Sequence, residues 1–236
     1  MRKFLKNIAL IALLCCIASP TMAQLGEERN YLSVGANAGV NMAKVSFSPN
    51  IKQQNKMGMV GGVTVRYMTE KYFKMLCGVQ MEINYSSRGW KELIEDGSEN
   101  QYERCMNYIE IPLLTHLAFG TDSRTRGAQF FLNLGPQIGF ILSESEKGID
   151  DPNWDPSNRP GHIQEQYGKM ADKKFDYGIT AGAGVEINTK IGHFLLEGRY
   201  YMGLGDFYNN SKRDFFGRSA HTIIGIKTTY LFDLGK

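Results

Sequence analysis

Eight segments of this chain alternate polar and apolar residues with a period of two, and several outrun an ordinary globular strand. They fall at residues 31–47, 57–69, 72–90, 102–119, 128–143, 175–189, 193–207 and 220–234. A period of two sends successive side chains to opposite faces, so each segment has one apolar and one polar face. In the fifth, Phe130, Leu132, Leu134, Ile138, Phe140 and Leu142 oppose Gln129, Asn133, Gly135, Gln137, Gly139 and Ser143, with Phe131 and Ile141 as exceptions. The sixth sets Phe175, Tyr177, Ile179, Val185 and Ile187 against Asp176, Gly178, Thr180, Gly182, Gly184 and Glu186. None of the eight segments has a helical period; only the stretch around 163–170 has room for a helical turn.

The polar parity is where the glycines collect: Gly58, Gly62, Gly78, Gly135, Gly139, Gly178, Gly182, Gly184, Gly203, Gly205 and Gly225. A strand face turned to water has no use for glycine, which weakens strands. The inside of an eight-stranded barrel has room for a limited volume of side chains, so small residues there make space for large ones. Polar and small inside, apolar outside, is the polarity of a barrel bathed in lipid. A soluble ligand-binding barrel inverts those sides. The expected fold is all-β, an eight-stranded antiparallel up-and-down transmembrane β-barrel. No later run approaches the length of apolar residues a membrane-spanning helix requires.

The N-terminus agrees with that destination. Arg2, Lys3 and Lys6 precede an apolar run at 8–17, and small residues lead to Ala23. This is the layout of a secretory signal peptide cleaved after Ala23, which leaves residues 24–236 as one barrel domain. Leu14 before Cys15, and Cys16 inside the apolar run, disfavour a lipoprotein signal. The full chain has 27 basic and 24 acidic residues, and the leader holds three of the basic ones. The mature chain is therefore 24 against 24, and no nucleic-acid partner is expected.

Connections after the second, fourth and sixth segments are short (Glu70-Lys71, 120–127 and 190–192), and the others are long (48–56, 91–101, 144–174 and 208–219). Short turns at one end and long loops at the other are the layout of outer-membrane barrels. Tyr31, Tyr67, Tyr72, Phe73, Phe119, Phe130, Phe194, Tyr230 and Phe232 gather at the short-turn end, where a membrane-interface girdle belongs.

Tyr108-Ile109-Glu110-Ile111-Pro112-Leu113-Leu114 and Asn133-Leu134-Gly135-Pro136-Gln137-Ile138-Gly139 resemble the Pro-containing strands of PorT-type outer-membrane β-barrel proteins. The resemblance extends through the glycine-alternating stretch 180–186 to Tyr230-Leu231-Phe232. It implies an eight-stranded barrel in the bacterial outer membrane, inserted by the barrel-assembly machinery, often with no assigned activity. This chain departs from the family pattern by continuing past Phe232 with Asp233-Leu234-Gly235-Lys236.

Charges on the inward parity are Arg66, Lys74, Glu82, Glu110, Glu186, Glu197, Arg199 and Lys227, with His116 on the same face. Isolated charges in a narrow lumen are costly, whereas paired ones are tolerated. The expectation is a structural ion-pair network filling the barrel; the alternative is a charged permeation path. His116, His162, His193 and His221 have no serine at hydrolase spacing, and His193 and His221 belong at opposite ends. No catalytic, cofactor or metal site is expected. Asp150, Asp151, Asn153, Asp155 and Asn158 alternate like part of a calcium loop, but the glycine and distal glutamate of such a loop are missing. Trp154 among them is a candidate contact for a protein or glycan partner. Cys77 and Cys105 are expected opposite about Thr115 and Ser87, too far apart for a disulfide, with both thiols on the lipid-facing parity.

The leading reading is a non-enzymatic outer-membrane protein, structural, adhesive or part of an envelope or secretion complex, with lipid around its barrel and its loops outside. A small-solute channel and a soluble periplasmic ligand-binding barrel are the competing readings.

Overall fold

A computed structural model describes residues 27–120, 126–157, 159 and 163–234; the expected leader, Asn158 and His162 lie outside the described residues. Every regular element among them is a strand: β1 (Glu27–Ser48), β2 (Gln53–Gln54), β3 (Lys56–Tyr72), β4 (Met75–Glu92), β5 (Glu103–Gly120), β6 (Gly127–Lys147), β7 (Phe175–Thr189), β8 (Gly192–Gly203) and β9 (Arg218–Leu234). β2 is two residues laid against the end of β4. The other eight pair in the order β4-β3-β1-β9-β8-β7-β6-β5, and β4 pairs with β5 to complete the ring. All these pairs are antiparallel, and β1 meets β9 from Leu32 opposite Leu234 to Ser48 opposite Arg218. Closure leaves no unpaired edge along the barrel. The eight-stranded up-and-down barrel expected from the alternation is the fold of the chain.

The turn between β3 and β4 is Phe73-Lys74 rather than Glu70-Lys71. A register irregularity between Met68 and Glu70 lets β3 continue three residues further, until Tyr72 faces Met75. Lys74 accordingly leaves the lumen for an exposed turn, although it has the inward parity. The cysteines are free. Cys77 faces Leu117 and Cys105 faces Gly89, each two residues from the expected register and at opposite ends of the β4–β5 pair. Tyr31 also departs from expectation: it packs inward against the lower core instead of joining the girdle. The other outward rings at that end include Tyr67, Phe119, Phe130, Phe194, Tyr230 and Phe232, all exposed. A second outward set, Tyr85, Phe140, Phe175, Tyr177 and Tyr200, lies toward the long-loop end.

Polarity changes along the strands. On β1, outward residues are apolar up to Val40 and Met42, and then become Lys44, Ser46 and Ser48. The inward residues change the opposite way, from Ser33, Asn37 and Asn41 to Ala43, Val45 and Phe47. A membrane strand requires about 9–11 residues, and β1 and β6 have 22 and 21. Their upper parts therefore extend beyond the apolar band, and there β1 follows the polarity of a water-soluble barrel. The polar interior expected from the sequence, with Phe131 and Ile141 as exceptions, is confined to the middle. Above it Phe47, Trp90, Tyr102, Met106, Tyr108 and Ile141 form one apolar cluster. Below it Met68, Leu76, Ala118, Phe131, Leu195 and Leu231 form another.

Phe131 shows how the barrel holds large side chains. A Cβ on Gly184 would lie 2.6 Å from Phe131 Cζ, and one on Gly178 would lie 2.7 Å from Tyr201 Cε2. The β7 glycines thus leave space for rings from β6 and β8. Gly184→Val is expected to destabilise the barrel by about 1–3 kcal/mol through overpacking. A lowered urea midpoint for the chain refolded in lipid vesicles is the expected result.

Candidate functional site

Three ion-pair groups are stacked in the middle of the barrel. Nearest the short turns, the Arg66 guanidinium donates to both Glu186 oxygens at 2.6 and 2.8 Å. His116 Nε2 lies 3.3 Å from Arg66 Nη1, and its Nδ1 lies 2.8 Å from Asn133 Oδ1. His193 bridges Glu186 at 2.8 Å and the partly exposed Asp233 at 3.1 Å. In the centre, Glu82 accepts from Arg199 at 2.8 and 2.9 Å and from Lys227. Gln80 and Asn84 donate to the same carboxylate at 2.7 and 2.8 Å. Arg199 also donates to Glu197 at 2.6 Å. Nearest the loops, Arg88 donates to Glu110 at 2.6 Å and to Asp176 at 2.7 Å. Its guanidinium lies 4.5 and 4.8 Å from the ring centroids of Tyr108 and Tyr201.

Seven of the eight charges assigned to the lumen lie in these groups; Lys74 does not. Arg88 and Asp176 belong to them and were not assigned. Arg88 shares the even parity of Gln80, Glu82 and Asn84, but the alternation fades at Gly89-Trp90 beside it. Asp176 stands on the polar parity of β7, one residue from its start. Antiparallel strands hold these side chains where their neighbours reach them. Glu197 leans over Gly182, where a Cβ would meet its carboxylate.

Between the central and upper groups is a cavity of about 40 Å³ lined by Asn41, Ser86, Glu110, Gln137, Arg199 and Lys227. Such a space holds on the order of a few waters. With apolar clusters above and below it, the lumen is filled along its length.

The long loops close the upper end. Phe207, Tyr208 and Phe216 pack on Phe47, with ring centroids 6.1, 6.3 and 5.3 Å away. Trp154 does not project as a free contact. It is half-buried, its ring 5.0 Å from Tyr167 and 6.2 Å from Tyr102, with the Arg159 guanidinium 4.7 Å from its centroid. Apolar and cationic neighbours outcompete solvent for an indole in a loop this long. Arg104 donates to Glu144 at 2.7 Å and to Glu146. A register irregularity opposite Asn107 and Tyr108 turns this part of β6 inward. Asp151 and Asp155 accept from the backbone N–H of Asn153 and Ser157 at 2.8 and 2.9 Å, ordinary loop hydrogen bonds.

Two carboxyls beneath the cap, Glu92 at the end of β4 and Asp96 in the loop after it, are held away from the ordinary carboxylate range. Burial holds Glu92 above the ordinary carboxylate range, against hydrogen bonds from Tyr167 and Gln166 that lower it. The Ser98 hydroxyl and backbone N–H hold Asp96 below that range, helped by Arg159. A raised carboxyl favours the folded cap at low pH, and this contribution is lost as pH rises through the folded value. Glu92→Gln is therefore expected to flatten the rise in loop protease sensitivity between acid and neutral pH. Limited proteolysis of the refolded chain measures this.

The lumen gives a larger effect. Removing one partner of a buried pair leaves an uncompensated charge, at a cost of about 3–5 kcal/mol. Arg66→Met is expected to lose stability of that order, read from the urea midpoint in vesicles, and Arg66→Met/Glu186→Leu is expected to recover most of it.

A closed sheet with an apolar exterior and buried charges inside defines a membrane β-barrel. The chain belongs to the outer membrane protein beta-barrel domain family, whose model matches residues 22–209. Its place is the bacterial outer membrane. Among solved structures it is similar to the outer membrane protein OprG from Pseudomonas aeruginosa, at 12% identity and a TM-score of 0.44, covering 88% of this chain and 98% of that one. Neisserial surface protein A matches at 12% identity and a TM-score of 0.42, covering 85% and 97%. The attachment invasion locus protein Ail of Yersinia pestis, in complex with a heparin analogue, matches at 13% identity and a TM-score of 0.37, covering 86% and 100%. No curated protein matches the chain.

Proposed function

We propose that the chain is exported with cleavage after Ala23, inserted by the barrel-assembly machinery, and held in the outer membrane as a non-enzymatic anchor for its long loops. The observation that carries this reading is a filled lumen beneath a cap: ion pairs and two apolar clusters occupy the barrel, while described loop residues pack over its upper end. Long loops of such barrels face the cell exterior, so the cap is the surface offered to a structural, adhesive or envelope-complex partner. Kinship with PorT-type barrels, drawn from the two Pro-containing strands, belongs to the same reading. Among the described histidines, His193 and His221 have partners inside the barrel. His193 is occupied by Glu186 and Asp233, and His221 lies 3.0 Å from Tyr108 Oη at the other end.

Membrane fractionation followed by a gel of boiled and unboiled samples tests the anchor. The protein is expected to require detergent for extraction and to migrate differently when unboiled. Extraction by salt or carbonate alone would sink the reading. In planar bilayers the refolded chain is expected to give no conductance steps; steady single-channel currents would favour the channel instead, with the small polar cavity as part of its path.

A further inference from the structure

The cap carries its two signs of charge on opposite sides. The β4–β5 loop and the first part of the β6–β7 loop lie together, with Asn100 Nδ2 donating to the Asp155 carbonyl at 3.2 Å. They hold Glu95, Asp96, Glu99, Asp150, Asp151 and Asp155. Lys52 pairs with Glu95 and Arg159 with Asp96. Glu99, Asp150 and Asp151 are exposed and have no ion-pair partner among the described residues; the exposed Lys147 at the end of β6 offsets one of them. The β8–β9 loop meets the end of the β6–β7 loop where Lys173 Nζ donates to Asn210 at 3.4 Å. This side carries Lys173, Lys174, Lys212, Arg213 and Arg218, all exposed and none with a carboxylate partner among the described residues. The acids beside them are occupied by loop backbone: Asp172 accepts from Asn209 N–H at 2.8 Å, Asp206 from Ser219 N–H at 2.7 Å and Asp214 from Ser211 N–H at 2.8 Å. In ring order the β4–β5 and β8–β9 junctions are four strands apart in either direction, so the acidic and basic sides face away from each other.

The membrane-level surfaces under these two sides also differ. Paired residues followed round the ring from Ser86 through Val60, Gly39 and each later strand arrive at Leu76, ten residues lower on the same strand. Such a stagger tilts the strands by about 40°. At ~20 Å below a loop, the strands underneath it are therefore about three places further along the order β4-β3-β1-β9-β8-β7-β6-β5. Under the acidic side comes an open apolar groove of about 530 Å³ on the barrel's outside, with Ala36, Ala38 and Thr228 as its floor and Val185 and Leu196 as walls. Under the basic side come Leu113, Leu132 and Leu134 of β5 and β6, all exposed. Leu132 is five residues from the start of β6, and Leu196 is four from the start of β8, so leucines and groove share one level.

We propose that copies of this chain associate side by side in the membrane, the acidic side of one against the basic side of the next, with the leucines of β5 and β6 seated in the groove. The inference rests on the outer-membrane anchor reading above, which holds all copies the same way up in one bilayer. The contact joins two different faces that point away from each other, so it repeats into rows instead of closing as a two-fold pair. Charge alone fits a soluble polyion. A groove and a leucine ridge at one level, each beneath the opposite charge, select a second copy.

The test uses the full mature chain, carrying a donor or an acceptor dye at its N-terminal amine, refolded together into phosphatidylcholine vesicles with lipid in large excess. Energy transfer is compared with that expected for unassociated copies at the same density. The wild type is expected to exceed that level severalfold and to fall toward it in about 1 M salt, where charges are screened beyond ~3 Å. E99K/D150K, basic on both sides, and K212E/R213E, acidic on both, are each expected to fall to the unassociated level. Donor-labelled E99K/D150K mixed with acceptor-labelled K212E/R213E is expected to recover most of the wild-type transfer. A38L, which fills the groove floor, is expected to lower transfer severalfold with every charge in place. Each variant is first checked for heat-modifiable migration. A wild type without it overturns the anchor reading itself. A heat-modifiable wild type at the unassociated level overturns this proposal alone, as does a mixture of the two charge variants no better than either, or A38L equal to wild type. Loss of transfer in K212E/R213E that E99K/D150K does not share assigns the basic side to some other anion and overturns the contact between copies.

Discussion

The structure depends on a change of solvent along the length of its strands. Where β1 runs from Leu32 to Met42 its outward residues meet lipid, and hydrogen-bonding groups are confined to the backbone ladder and the lumen. Past Lys44 the outside is wet, and the apolar residues move inward to Val45 and Phe47. Strand pairing is indifferent to this change, because every backbone group is satisfied by neighbouring strands on both sides of it. One ring of eight strands can therefore carry a membrane-type barrel and a soluble-type barrel end to end.

Each part solves its packing problem differently. Through the middle of the lipid-facing part an oily interior would leave both faces of the sheet apolar, a sequence with little to fix its register, and apolar residues fill the inside at the short-turn end, around Met68 and Phe131. Ion pairs supply that definition. Glu82 is satisfied only when β4, β8 and β9 bring Gln80, Arg199 and Lys227 to the same height. Arg66 joins β3 to β7, and Arg88 joins β4 to β5 and β7. A slip of one residue would turn these charges toward lipid, where each unpaired ion costs several kcal/mol. Above the rim, water outside supplies the usual hydrophobic drive, so rings from loops and strands condense on Trp90 and Phe47.

Much of this was legible in the sequence because period-two alternation is a local signal. The eight strands, their order, the inward glycines and seven of the lumen charges follow from parity alone. Parity fails where the backbone departs from regular pleating. The irregularity at Met68/Glu70 moves the β3–β4 turn and carries Lys74 out to solvent. The one opposite Asn107 and Tyr108 turns Glu144 and Glu146 in toward Arg104, beyond the predicted end of that strand. The cap was hidden for another reason. Trp154, Tyr167 and Phe216 come from loops, where no periodicity marks which face of a side chain is covered.

The two-part design also separates the loops from the barrel that carries them. The cap's contacts run to the upper cluster, through Phe47, Trp90, Tyr102 and Tyr108, and the charged groups below are paired among themselves. Arg88 lies at the junction, its ion pairs facing down and its guanidinium between Tyr108 and Tyr201. Substitutions in loop residues that do not touch the upper cluster leave the ion pairs of the lumen intact. Those that do touch it are buffered by an apolar layer in which no charge need be re-partnered. Such an arrangement separates the loop surface from the interactions that set strand register, which are buried in the lumen below it.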